Sequence, residues 1–217
     1  MCGRFNLTST PENIAEHFQL SLPPHYQTSY NLSPGQKILC IVELEDQSLK
    51  AVNLFWGLVP SWAKDDKNSQ HLMNARAETI REKPSFRAAF HKRRCLIVAS
   101  GFYEWQNLEH GKQAFHIHRR DNDLFALAGL WEHWRHGEQT LYSCAIITKG
   151  AGELMRPIHE RMPVIIPKEA YRLWLDKNAD ENRAYQLLAN DAYRDMMVTP
   201  ISGYVNNPLH NDAGCLK

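Results

Sequence analysis

Between residues 94 and 148 one kind of segment returns four times, and it limits the fold more than any other feature. Arg94–Trp105, Ala114–Arg119, Leu124–Trp131 and Leu141–Thr148 are rich in β-branched and aromatic side chains. Such residues fit a pleated, half-buried surface, so each run reads as a strand. Lys37 to Leu44 and Leu49 to Leu58 read the same way, with an acidic turn between them, and Val164–Ile166 is a short strand between prolines. Gly101 is a candidate bulge in the first of the four runs.

Helical signals keep to the flanks. Thr10 caps and Pro11 opens a short helix with Ile14, Ala15 and Phe18 on its apolar face, ended by Leu22-Pro23-Pro24. Asn74 to Arg93 reads as helical in parts, broken at Pro84, and Glu153 to Ile158 as a helical turn. Lys168 to Leu175 and Asp180 to Ala189 read as surface helices, and the tail after Thr199 as irregular. The fold class expected is α+β, with a largely antiparallel sheet or partly closed β-barrel and flanking helices. No repeat, low-complexity tract or linker divides the chain, so residues 1–217 are expected to form a single domain. A hydrophobic content of 43% is enough for its core.

Charge and cysteine usage narrow the function classes. The net charge is +1, so a polyanion could be held only by a local patch. Five cysteines, an odd number with no C-x-x-C pair, argue against a disulfide framework and a zinc knuckle, and for a reducing cytoplasm. The start lacks a signal peptide's basic region and apolar run. No stretch approaches eighteen apolar residues, so no membrane span is expected. There is no Gly-rich phosphate loop, no H-E-x-x-H and no G-x-S-x-G.

The chemistry gathers at the amino terminus, Met1-Cys2-Gly3-Arg4-Phe5. If Met1 is removed, Cys2 carries a free α-amine and a thiol on adjacent carbons. The amine titrates near pH 8 and can condense with an aldehyde to a Schiff base. The thiol can then attack the imine carbon and close a five-membered thiazolidine. The bland alternative is a disordered terminal residue.

Other polar residues stand in contexts that secondary structure leaves unexplained. Asn74 and Glu78, four apart in NARAE, would share a helix face, or Asn74 would be a helix cap. Glu104, in GFYEW near a strand end, is a carboxylate among aromatics and a candidate for proton transfer. His159 lies in the proline-bounded loop RPIHERMP, and histidine is the side chain best matched to acid–base work near neutral pH. His116-x-His118 and His133-x-x-His136 have ligand-like spacing but lack a third ligand and read as surface, so no metal or cofactor is assigned. Arg4, Arg76 and Arg161 each neighbour a candidate reactive residue, which points to a bound anion such as phosphate. Trp62, on a polar loop, could stack on a base or pack in the core.

These motifs, in this order, resemble the SRAP domain family, whose members crosslink to abasic sites in DNA. MCGRF at 1–5, YNLSPG at 30–35, WGLVPSW at 56–62, NARAET at 74–79 and RRCLIVASGFYEW at 93–105 match. So do ALAGLW at 126–131, TKGAGELMRPIHERMPVII at 148–166 and VNN at 205–207. Ala63 follows Trp62 where some relatives carry a second aromatic. The resemblance implies that Cys2 is the crosslinking residue, that Asn74 holds the open sugar and the cysteine, that Glu104 handles protons and that His159 promotes ring opening. It implies Arg4, Arg76 and Arg161 as phosphate ligands, and Asn31, Pro34, Trp62, Trp105 and Thr148 as walls of a DNA groove. The implied partner is single-stranded DNA with abasic sites, or a single-strand/duplex junction, bound by a monomer in the cytoplasm or on a bacterial nucleoid. The imine also opens a lyase route by β-elimination. Two other readings remain: an N-terminal-cysteine peptidase or amidohydrolase, and a non-covalent DNA-binding module.

Overall fold

The computed structural model describes every residue except Met1, Pro24, His25, Asn68 and Asp191, and only the backbone of Ser69 and Gln70. Its strands are β1 (Phe5–Leu7), β2 (Ser29–Leu32), β3 (Lys37–Glu43), β4 (Leu49–Trp56), β5 (Asn74–Arg76), β6 (Arg94–Ala99) and β7 (Gly101–Leu108). They continue with β8 (Gly111–Arg119), β9 (Phe125–His136), β10 (Gln139–Gly150), β11 (Arg161–Pro163), β12 (Ile165–Ile166) and β13 (Met196–Ile201). The helices are α1 (Pro11–Phe18), α2 (Arg87–Lys92), α3 (Tyr171–Leu175) and α4 (Glu181–Gln186).

Strands β10, β4, β3, β6 and β9 pair in that order, and β9 returns to β10, which closes a five-stranded barrel. An odd ring cannot be antiparallel throughout, and the parallel pair is β4 with β10, where Ser143 faces Phe55 and Cys144 faces Trp56. Closure removes the unpaired edges that would otherwise invite aggregation. Cys40 on β3 and Cys144 on β10 are not on paired strands, yet their sulfurs stand 4.0 Å apart, so they meet through the barrel interior. A second, antiparallel sheet runs β13-β8-β7-β1-β2. One buried cluster includes Phe5, Phe102 and Ile117 from this sheet together with Trp56, Ile97 and Ile146 from the barrel. The fold is thus α+β, as its strand runs predict. Among the described residues no helix is long and apolar enough to cross a membrane.

Several local expectations change. Residues 94–105 form two strands in two sheets. Ser100 separates them, because its backbone N–H bonds Asn6 O while its hydroxyl accepts from the amides of Thr8 and Ser9. Gly101 is not a bulge: the β7–β8 register passes it unshifted. A side chain there would meet His116, since a Cβ would lie 2.1 Å from its Nε2. Asn74 and Glu78 do not share a helix. Residues 74–76 pair parallel with Ile146–Thr148 of β10, and the 3-10 turn Ala77–Thr79 follows. His133 and His136 lie on β9. The tail is not irregular at first, for β13 pairs with β8, and Pro200 is tolerated because β13 is an edge strand. Helix α1 has the expected Thr10 cap, accepting from Asn13 N at 3.3 Å, but it ends at Gln19, whose φ is +54°. Met1 and Pro24, named in the sequence reading, lie outside the described residues.

Candidate active site at the amino terminus

Strand β1 carries the amino terminus to the junction of the two sheets. Phe5 is fully buried, its ring 5.2 Å edge-on from Trp56. Phe5 pairs with Phe102 and Asn6 with Gly101, and Tyr103 N donates to Arg4 O at 2.9 Å. Cys2, just before this anchored stretch, is fully buried. Its carbonyl accepts a 2.9 Å bond from Asn74 Nδ2 at the start of β5. The cysteine is therefore a placed residue, held from the barrel side by Asn74 and from the second sheet by β7.

Glu104 on β7 is 4% exposed. Burial raises its pKa, while the neighbouring His159 pulls it the other way. The Cys2 thiol is pushed up to about 12, first by burial and then by the charge of Glu104. His159 sits after a turn in which Arg156 N bonds Gly152 O and His159 N bonds Met155 O. Gln106 Nε2 ties that turn to β7 through Pro157 O at 2.8 Å. The backbone N–H of Arg161 donates to His159 Nδ1 at 2.9 Å. Glu104 and His159 share a cavity of about 370 Å³ with Arg4, Trp105, Asn107, Lys112 and Asn206.

The three arginines differ in what they hold. Arg4 Nη1 donates to Asn31 Oδ1 at 2.7 Å and to Val205 O at 2.9 Å, and its guanidinium carbon lies 6.0 Å from the Trp105 ring centre. Arg76 is exposed at the end of β5. Arg161 is half-buried, and its fork grips both carboxylate oxygens of Glu78, at 2.6 and 3.0 Å. Of the groove-wall candidates, Asn31 and Thr148 are interior, 1% and 0% exposed. Asn31 donates to the carbonyls of Val205, Asn207 and His210. Thr148 accepts from Arg161 through its carbonyl and its hydroxyl. Both lie beneath the surface and brace the segments above them. Trp105 is half-buried and bonds Asn206 Oδ1 through Nε1 at 2.7 Å. Trp62 is 65% exposed and lines a different cavity with Pro60, Lys64 and His71. Pro34 is half-buried in the turn before Gly35.

Cys2, Arg4, Asn31, Asn74, Glu104, Trp105 and His159, spread over 158 positions of sequence, thus form one connected neighbourhood with Thr148 and Arg161 on its border. Sequence reasoning missed Asn107, Lys112 and Asn206 in the cavity, and Glu78 as the partner of Arg161. Asn107 and Lys112 face each other across the β7–β8 hairpin, a pairing that depends on its register. His116 and His118 stack at 4.8 Å and bond Asn6 and Thr199. Burial lowers the His116 pKa to about 3, so that ring is neutral packing.

A family model described as "SOS response associated peptidase (SRAP)" matches residues 1–208. The chain is 43% identical to the protein named "Abasic site processing protein YoqW" of Bacillus subtilis (strain 168), over 97% of this chain and 96% of that one. It is 29% identical to "Abasic site processing protein YedK" of Escherichia coli (strain K12), over 100% of this chain and 96% of that one. Among solved structures, a phage-related protein of Bordetella bronchiseptica superposes with a TM-score of 0.74 at 30% identity, covering 92% of this chain and 94% of that one. A protein of Bacteroides thetaiotaomicron shares the fold at a TM-score of 0.83 and 24% identity, covering 100% of this chain and 99% of that one.

Proposed function

Because the chain belongs to the SOS response associated peptidase (SRAP) family, we propose that it processes abasic sites in single-stranded DNA by covalent capture through Cys2, once Met1 is removed. One juxtaposition carries the reading: a buried amino-terminal cysteine, held by Asn74, close enough to Glu104 for that carboxylate to raise its thiol. The relatives' names, abasic site processing proteins, support the substrate class.

The chemistry balances without a cofactor. The α-amine of Cys2 attacks the C1′ aldehyde of the ring-opened deoxyribose, and the carbinolamine loses water to an imine. The sulfur then adds to the imine carbon, and the thiol proton ends on the nitrogen, closing a thiazolidine. Glu104, whose pKa burial raises, takes the thiol proton and returns it to nitrogen. His159, beside it in the cavity, promotes opening of the sugar ring. The imine can also undergo β-elimination, a lyase outcome that thiazolidine closure competes with. Arg4 and Arg76 bind backbone phosphates, with the Arg161 charge behind them. Trp62 and Trp105 offer faces to bases, and Pro34 lines the approach. The same surface would accept a single-strand/duplex junction, and one chain suffices.

A thiol peptidase or amidohydrolase would need a thiolate poised near neutral pH, which proteins create with cations or helix termini. Burial and Glu104 push this thiol the other way. A neutral thiol that closes on a preformed imine is the better match. Purified protein incubated with an abasic single-stranded oligonucleotide and run on a denaturing gel tests the proposal. A heat-stable band of protein plus oligonucleotide is expected. Its absence, together with hydrolysis of a peptide substrate, would favour the peptidase.

A further inference from the structure

Strand β10 is flanked by β5 on one edge and β11 on the other, and Thr148 pairs with both Arg76 and Pro163. Glu78 lies two residues past β5, and Arg161 is the first residue of β11. They meet over β10 in a two-pronged ion pair of 2.6 and 3.0 Å. Arg161 Nη2 also bonds Thr148 O at 2.8 Å and Oγ1 at 3.2 Å, and Gly150 N bonds Glu78 Oε1 at 3.3 Å. Burial leaves the Arg161 side chain 14% exposed, against 51% for Glu78. Contacts from three sides of the strand junction therefore fix the position of one arginine.

The backbone of that arginine in turn fixes the histidine. Arg161 N–H donates to His159 Nδ1 at 2.9 Å. An amide offers only a hydrogen, so Nδ1 must present its lone pair, and the neutral ring then carries its hydrogen on Nε2. We infer that Glu78 is a positioning residue: through Arg161 it holds His159 in the Nε2–H tautomer, so that the ring acts on the sugar as a hydrogen-bond donor. This rests on the abasic-site reading for its chemistry, but the tautomer itself does not.

Two measurements test this. The first is a long-range ¹H–¹⁵N correlation spectrum of histidine-labelled protein without DNA, with His159 assigned by its loss in His159→Gln. The wild type should show the Nε2–H pattern, and Glu78→Ala and Glu78→Gln should each show a mixture of tautomers. The second is the crosslinking rate on an abasic oligonucleotide. Glu78→Ala should slow it about ten- to a hundredfold, the scale of a misplaced catalytic group, with an unchanged salt dependence of binding to intact single strands. His159→Gln, which keeps a donor at the ε position, should retain more of the rate than His159→Asn. A wild-type Nδ1–H tautomer, or an unaltered tautomer in both Glu78 variants, would overturn the clamp. So would a rate that holds while the tautomer changes. If the wild type formed no crosslink at all, the abasic-site reading would fail, and the spectra would still decide the clamp.

Discussion

Burying the Glu104 carboxyl has a cost that its chemistry explains. Its folded pKa is raised by burial, so between the unfolded and folded values the native state binds more protons than the unfolded one. Stability then falls as pH rises through that window and stays lower above it. Glu104→Gln removes the ionisable group while keeping its shape. The variant should therefore melt higher than the wild type at neutral pH, and the gap should close below about pH 4, where both forms are uncharged. Its crosslinking should be slower by about a hundredfold or more, the usual worth of a proton-transfer group. Parallel melting curves at pH 4 and pH 7 decide the first point; a gap that ignores pH would remove the buried carboxylate as its cause. At this scale the sequence was most legible. Cys2 and Glu104 stand out by their chemistry, and only the fold shows that both are buried side by side, whereas Glu78 was misread because its partner Arg161 is 83 residues away.

Elements were legible where local patterning decides and illegible where a distant edge does. The Thr10-Pro11 cap and the two strands before residue 58 follow from adjacent residues. Strand β5 does not: NAR is three residues long and forms because β10 continues past the end of its β4 pairing, at Cys144, and offers Ile146 to Thr148. The break at Ser100 is equally invisible, since strand-forming residues run through it and only a hydroxyl bonded to residues 8 and 9 marks the change of sheet. Gly101 puts this packing to the test. The His116 ring that a Cβ would strike is bonded to Asn6 and stacked on His118, so it cannot swing aside freely. Gly101→Ala should cost about 1–3 kcal/mol, read as a lower urea midpoint, and should slow Cys2 chemistry because β1 pairs with this same stretch of β7. Wild-type stability in Gly101→Ala would mean that the sheet is looser than this packing requires.

The whole molecule carries a net charge of only +1, so the proposed DNA affinity has to come from where the fold gathers cations. Arg4 also braces the tail through Asn31 and Val205, which makes its substitution hard to interpret. Arg76, exposed at the end of β5, is the cleaner probe. Arg76→Ala should lower the slope of log affinity against log salt by about one unit and leave the melting temperature unchanged. An unaltered slope would take it out of the DNA-contacting set. Both sheets converge on Cys2, and one measurement separates its two nucleophiles. Wild type, Cys2→Ser and a protein with a leader kept before Cys2 are each incubated with one abasic oligonucleotide, with and without borohydride. Wild type should give a heat-stable adduct without reductant. Cys2→Ser, which keeps the amine, should give an adduct only when borohydride fixes the imine. The leader-blocked protein, which keeps the thiol but has an amide in place of the amine, should give neither. A stable adduct from the leader-blocked protein would contradict thiazolidine capture outright.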